Sequence, residues 1–255
     1  MRVVAVSGAQ GGIGSAVRRS LEACGTCVIG IDLAAAEVVA DLETADGRMH
    51  AAAEVLRLCG GRLDGLVCAA GLGGTTLPAA RIVSLNYFGA IGLTEALLPA
   101  LARGEHPAAV VVSSVSATAG PWRDHPIEQV CLDGDEALAR QLADEARIAY
   151  FAYGCSKRAL NVKMRQLAPA WGAVGVRLNA IAPGPVDTAL HQAALDDPLL
   201  GKPTREFVPL LGRIARPEEI AAAIDFLLSP AASFIHGAVL FADGGCDAKL
   251  RADQF

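Results

Sequence analysis

The sequence predicts one α/β domain, a doubly wound parallel sheet of seven strands with helices on both faces. Three observations predict it. Short β-rich runs alternate with alanine-rich helical stretches, the rhythm of repeated βαβ units. The chain is 255 residues long, which suits one large domain. Apolar residues make up 53% and charged residues 19%, as expected for a sheet covered on both sides.

The strands are expected at Val3–Ser7, Cys27–Asp32, Glu37–Ala40, Gly65–Ala69, Ala108–Ser113, Gly175–Ile181 and Ala238–Ala242. Between them, helices are expected at Gly12–Cys24, Gly47–Leu58, Pro78–Ala102, Tyr150–Ala170 and Pro217–Leu228. Two regions break the rhythm. Thr118 to Ala149 is polar and charged, with helical stretches near Ile127–Leu132 and Asp135–Ile148, and reads as a helical insertion. Pro183 to Leu211 is rich in Pro and Gly and reads as a long irregular segment, with a lid at about 185–211. Its Leu195, Leu199, Leu200, Phe207, Val208 and Leu210 are suited to folding over an apolar substrate.

The first turn carries the first chemistry. Ser7-Gly8-Ala9-Gln10-Gly11-Gly12-Ile13-Gly14 follows a strand and opens a helix. Gly8, Gly12 and Gly14 allow a tight turn and close approach of backbone to a pyrophosphate, whose charge the helix N-terminus stabilises. The second strand then ends in Asp32, as a Rossmann-type dinucleotide site requires. A carboxylate there accepts from the ribose hydroxyls and repels a 2′-phosphate. Neighbours Ala9 and Leu33 supply no cation, so NAD(H) is predicted over NADP(H). Asp41 and Leu42, after the third strand, are placed to flank the adenine. Ala70 and Gly71, after the fourth, let the cofactor lie close.

Tyr153 and Lys157 stand four residues apart, one turn on a shared helical face. A cation beside a phenol lowers its pKa from about 10, which suits Tyr153 to proton exchange near neutral pH. Upstream, strand alternation allows either Ser113 or Ser114 to present the active hydroxyl. Cys155 lies off the Tyr/Lys face and reads as packing.

Composition excludes other classes. A net charge of −5 with no basic stripe argues against nucleic acid, and aromatics at 5% argue against a base-stacking platform. Five scattered histidines show no ligand spacing, so no metal is expected. Seven scattered cysteines fit reduced thiols in a cytoplasmic protein, and Cys24-Gly-Thr-Cys27 is read as buried packing. No uncharged apolar run reaches the roughly 18 residues of a membrane span, Phe88 to Ala102 coming nearest. Arg2 to Val6 reads as strand, so no signal peptide is expected.

Together these motifs resemble the short-chain dehydrogenase/reductase family over essentially the whole chain. The resemblance rests on the glycine loop, Asn86-Tyr-Phe-Gly, Ser114 in Val-Val-Val-Ser-Ser, Tyr153/Lys157, Arg177-Leu-Asn-Ala-Ile-Ala-Pro-Gly184, Thr188 and Asp243-Gly-Gly245. It favours Ser114 over Ser113 and implies alcohol–ketone chemistry with NAD. Tyr153 would act as acid and base, and Lys157 would hold its phenolate and the nicotinamide ribose. Ser114 would bind the substrate oxygen, and Asn86, in a helix, would hold a water linking Lys157 to solvent. Thr188 would contact the carboxamide, helped by Pro183, Gly184 and Val186. The charged insertion and the Ser229 to Gly237 stretch resemble bacterial members acting on hydroxysteroids and carbonyls, which implies a steroid or another bulky ketone. The resemblance also implies a homodimer, with the insertion forming a contact and blocking tetramer packing. The chain departs from the family at Cys68-Ala-Ala-Gly71, which loses the usual asparagine side chains, and in the long gap between Ser114 and Tyr153.

Overall fold

A computed structural model describes residues 2–254. Seven strands form one parallel sheet in the order β3-β2-β1-β4-β5-β6-β7. They are β1 (Val3–Ser7), β2 (Cys27–Asp32), β3 (Val38–Val39), β4 (Gly65–Cys68), β5 (Ala108–Val112), β6 (Arg177–Pro183) and β7 (Val239–Ala242). The order reverses between β1 and β4, so their carboxyl ends diverge and leave the crevice where such sheets bind ligands.

Strand alternation feeds two cores. On one face Val4, Val6, Val67 and Val110 pack with Val17 and Leu21 of α1 (Gly12–Ala23) and Ile220, Ile224 and Leu227 of α10 (Pro217–Leu228). On the other, Ala5, Leu66 and Ala109 pack against α2 (Ala45–Leu58), α4 (Ala90–Leu101) and α7 (Ala149–Ala173). Trp171 and Leu160 of α7 are almost fully buried there. The Arg177-Leu-Asn motif is structural. Arg177 donates to the carbonyls of Leu227 and Ser229, while Asn179 bridges to Ile235 O and Ala238 N beside β7.

Several expectations need correction. The third strand shrinks to two residues because Glu37 turns away to accept from Arg18 and from Gly30 N. The helix after β4 starts at Ala80 (α3, Ala80–Val83) and continues through a π turn, Ser84–Gly89, into α4. Over Ala80–Leu101 it is long and apolar enough to cross a membrane, with a mean hydropathy of 1.3, but 61% of its most apolar stretch is buried within the fold. Among the described residues it is the one such helix, and its Ile82, Leu93, Leu97 and Leu101 are core residues. Cys24 is exposed and Cys27 half-buried at the α1–β2 turn, so the pair is not core packing. The lid segment is not irregular, because Thr188 caps α8 (Ala189–Asp196) and α9 (Gly201–Glu206) follows.

The insertion forms α5 (Pro126–Asp133), ended by left-handed Gly134, and α6 (Glu136–Glu145), capped by Asp135. Its apolar side is spent inside the chain: Trp122, Ile127, Cys131, Ala139 and Ala143 join the α7-side core. Buried Glu128 pairs with Arg158 of α7 at 2.7 Å. The last described helix is α11 (Cys246–Leu250).

Candidate active site

Two cavities meet at the carboxyl edge of the sheet. One is a trough of about 440 Å³ along the glycine loop, lined by Gly8, Gly12, Asp32, Asp41, Leu42 and Ala70 among others. The other is an apolar cavity of about 510 Å³ between β5, α7 and the lid. Both volumes fall in the range of small-molecule sites. Ile13, Ala69, Gly71, Leu72, Thr188 and Leu190 line both, so they mark the junction.

The trough is made by backbone. Gly8 has φ +68°, and a Cβ there would stand 2.7 Å from Ala70 N. A Cβ on Gly14 would stand 2.0 Å from Gly8 O, so the first turn of α1 closes onto the loop only as glycine. The N-terminus of α1 has no side-chain cap, leaving its first N–H groups free to bind an anion. Asp32 accepts from Gln10 N at 2.9 Å and from Leu33 N at 2.8 Å, one bond per oxygen. About two of its four lone-pair directions remain for ribose hydroxyls. Arg18, one turn into α1, is held by Glu37 at 2.6 and 3.0 Å and by Glu22 at 2.8 Å, so it is not free for a 2′-phosphate. Backbone, carboxylate and helix terminus therefore fit a dinucleotide without a 2′-phosphate.

Other residues of the predicted cofactor set have local duties. The Gln10 side chain donates to Ala35 O and pins the loop. The Asp41 carboxylate accepts from Glu43 N at 2.9 Å and shapes its own turn, while Leu42 is buried. Ser7 Oγ accepts from Ala70 N at 3.2 Å, tying β1 to the loop after β4. Thr188 Oγ1 donates to Val186 O and accepts from His191 N, both at 3.3 Å. Pro183, Gly184, Val186 and Thr188 all line the substrate cavity beside the junction.

Both serines line the cavity, and their hydroxyls are engaged differently. Ser113 Oγ donates to Lys157 O at 3.3 Å, turned into α7. Ser114 lies beyond the end of β5 in extended backbone, and its Oγ accepts from Ser116 N at 3.1 Å. Ser114, Tyr153 and Lys157 converge on the cavity. Lys157 Nζ donates to Val112 O at 2.7 Å and lies 6.0 Å from the centre of the Tyr153 ring.

Here the electrostatic expectation is overturned. Burial pushes the Tyr153 phenol up to about 12; the Ser114 hydroxyl pulls it down and Tyr150 adds to the rise. Burial also pulls Lys157 down, to about 8. Removing both groups from water penalises both charged forms, and at 6.0 Å with a backbone partner the ammonium does not reverse the penalty.

Asn86 lies in a helical turn, as expected. It sits in the π turn, fully buried, and both ends of its amide are taken by Leu72: Oδ1 accepts from the N–H at 2.8 Å, and Nδ2 donates to the carbonyl at 2.9 Å. The side chain is a staple for the loop after β4 at Gly71–Leu72. A Cβ on Gly71 would stand 3.2 Å from Asn86 Oδ1 and 3.7 Å from Lys157 Nζ, so the three are packed together.

Sequence reasoning missed four lining or supporting residues: Tyr150, Trp122, His191 and Leu250. Tyr150 lies on the cavity wall stacked on Tyr153, ring centres 6.1 Å apart. Trp122 supports that wall from behind, and His191 and Leu250 line the cavity from α8 and α11. One signal was present: Gly154, in mid-helix beside Tyr153, costs helix stability unless something needs the space. Of the lid residues, Leu200 and Phe207 face the cavity, while Leu199 and Leu210 are exposed. Among the described residues no cluster of His, Cys, Asp or Glu could hold a metal.

Comparisons with known proteins agree with this geometry. Residues 142–247 match a family model described as enoyl-(acyl carrier protein) reductase. The chain is 49% identical, over the full length of both, to a 3-alpha-hydroxysteroid dehydrogenase/carbonyl reductase of Comamonas testosteroni. It is 33% identical to a D-threitol dehydrogenase of Mycolicibacterium smegmatis, over 97% of this chain and 94% of that protein. The crystal structure of a Pseudomonas 3-alpha-hydroxysteroid dehydrogenase complexed with NADH superposes with a TM-score of 0.98 at 48% identity, covering 99% of this chain and all of the other. With full-length identity at that level and the glycine loop, serine, tyrosine and lysine arranged around one junction, the chain belongs to the short-chain dehydrogenase/reductase family.

Proposed function

We propose that this protein is an NAD(H)-dependent oxidoreductase that interconverts a secondary alcohol and a ketone, acting on the 3α-hydroxyl of a steroid and reducing other bulky ketones. One observation carries the reading. The trough ending in Asp32 opens at Ile13 and Thr188 into an apolar cavity that holds the hydroxyls of Ser114 and Tyr153. The similarity to the Comamonas and Pseudomonas enzymes supports the steroid as substrate.

When bound, NAD supplies the hydride acceptor. The glycine loop and the α1 N-terminus hold the pyrophosphate, and Asp32 takes the ribose hydroxyls. Thr188, with the Pro183, Gly184 and Val186 backbone, holds the carboxamide end. Ser114 donates to the substrate oxygen and stabilises charge developing there. As the carbinol carbon loses hydride, Tyr153 as phenolate takes the hydroxyl proton; in reduction its phenol returns one. Lys157 is still mostly protonated at neutral pH with a pKa of about 8, and its field favours the phenolate in turn. Asn86 keeps the Gly71–Leu72 loop packed beside Lys157. Leu190, Leu200, Phe207 and Leu250 present an apolar wall to the ring system and exclude water.

The whole chain acts as one domain, with the insertion at about 118–149 and the lid at about 185–211. It works as a cytoplasmic homodimer. Seven unpaired thiols support a reducing compartment. The insertion helices packed against α7 support assembly away from that face.

A panel of 3α-, 3β-, 7- and 17-hydroxysteroids with NAD, followed by NADH absorbance, tests the reading. The 3α-alcohols are expected to be oxidised with the highest kcat/KM. No turnover of any steroid, with rapid turnover of a small cyclic alcohol, would overturn the substrate assignment. Light scattering tests the dimer.

A further inference from the structure

We infer that Trp122 of the insertion is a positioning residue for catalysis, fixing the Ser114 hydroxyl through Ser116. This inference rests on the roles of Ser114 and Tyr153 given above.

Ser116 is the hub. Its N–H donates to Ser114 Oγ at 3.1 Å. Its carbonyl accepts from Trp122 Nε1 at 2.6 Å. Its hydroxyl accepts from Tyr150 at 3.0 Å. Every polar group of Ser116 is thus tied: its carbonyl also accepts from Ala119 N at 3.3 Å, and two of the four bonds come from aromatic side chains. With one lone pair of Ser114 Oγ taken by the Ser116 N–H, the hydroxyl proton and the other lone pair remain for the substrate and Tyr153.

The packing shows a built strut. Trp122 is only 3% exposed, although it stands in a charged, polar stretch. Its ring meets Tyr150 at 5.8 Å and Phe151 at 5.5 Å, both edge-on. A Cβ on Gly154 would stand 2.4 Å from the indole, and one on Gly120 2.3 Å. These two glycines make the slot, one of them adjoining Tyr153 on the tyrosine helix. A glycine inside a helix is less favourable than alanine, so the seat lowers helix stability. The insertion therefore reaches the reacting hydroxyls through one indole N–H.

Trp122→Phe keeps a smaller aromatic ring in the slot and removes the donor. The expected result is a fall in kcat of about five-fold in both directions, the weight of one ordinary hydrogen bond, with NADH Kd unchanged. The rising limb of the pH profile for alcohol oxidation should move toward alkaline pH, because Ser114 is the group that pulls the Tyr153 phenol down. Other titratable groups facing Tyr153 are Tyr150 and Lys157 on α7 and His191 across the cavity on α8. The substitution changes none of their charges. Gly120→Ala, whose Cβ would stand 2.3 Å from the indole, displaces the ring without touching α7 and should move the limb the same way.

A folded Trp122→Phe with wild-type kcat and an unmoved limb overturns the inference. So does a loss of rate that follows a lowered Tm while the limb stays in place. If Trp122→Phe does not fold, an unmoved limb in Gly120→Ala overturns it instead. Ser114→Ala and Tyr153→Phe run alongside. Wild-type turnover in those two would mean that the catalytic assignment has failed, not the strut.

Discussion

The nucleotide trough and the substrate cavity share a junction, yet opposite materials build them. The trough is shaped by atoms that are missing: Gly8, Gly12 and Gly14 let backbone approach backbone, and a single carboxylate, Asp32, closes the far end. The cavity is shaped by side chains from distant segments: Ser114 after β5, Tyr150 and Tyr153 on α7, Leu190 on α8 and Leu250 on α11. The first rests on the glycine loop set against neighbouring strand ends, the second on side chains from across the whole fold. Damage to one should leave the other working, and that separability can be tested.

The largest effect is expected at Tyr153. Tyr153→Phe should lower kcat about a thousand-fold, the weight of a general acid–base, while NADH affinity by fluorescence titration stays within about two-fold of wild type because the trough is untouched. Wild-type rates in this variant would remove the acid–base assignment.

The next effect is the pH dependence of the cavity. With its phenol pushed up to about 12, Tyr153 is largely protonated at neutral pH. Oxidation needs the phenolate, whose fraction grows about ten-fold per pH unit below the pKa. Alcohol oxidation should therefore climb by up to about ten-fold per pH unit while Lys157 keeps its charge and flatten above its pKa of about 8, whereas ketone reduction, which uses the phenol, should not climb. Equal pH profiles in the two directions would show that Tyr153 does not carry the proton.

Gly14→Ala probes the other side of the comparison. A methyl 2.0 Å from Gly8 O must displace the loop. NAD affinity should fall by roughly thirty-fold, a cost of about 2 kcal/mol for overpacking. The parallel substitution Gly25→Ala meets nothing within 4 Å, so with φ +77° it should lower Tm and leave NAD affinity alone. Equal NAD affinities for the two variants would mean that the close approach at Gly14 is not what makes the trough.

The smallest effect belongs to Asp32. Asp32→Ala removes the ribose acceptor and the repulsion of a 2′-phosphate, and it also frees Gln10 N and Leu33 N. The ratio of kcat/KM for NAD over NADP should fall about ten-fold, one hydrogen bond to a charged group. An unchanged ratio would transfer the selectivity to another residue. Arg18 is not ready to take it, being held by Glu22 and Glu37.

Much of this was legible in the sequence. The strands other than β3 fall within two residues of expectation, because buried parallel strands write continuous apolar runs. The glycine loop and Asp32 were legible because they are local: one turn, one strand end, one helix start. Ser114, Tyr153 and Lys157 were found by motif, but their electrostatics were not. The spacing of Tyr153 and Lys157 gives a shared face, whereas the phenol's pKa follows from burial, which depends on every element packed around it. Asn86 was placed correctly in a helix, but its amide is consumed by Leu72, fourteen residues earlier, a pairing that no local pattern announces.

By itself, the sequence determined the layered α/β architecture, the glycine turn, the carboxylate at the end of β2 and the Tyr/Lys pair on one helical face. Those features follow from periodicity, glycine stereochemistry and fixed helical spacing, all short-range. Only the tertiary structure decided where the two serine hydroxyls point, that the phenol is buried, and that an indole from the insertion is anchored beside Ser116. These depend on desolvation and on contacts between segments far apart along the chain, and the folded packing alone sets both.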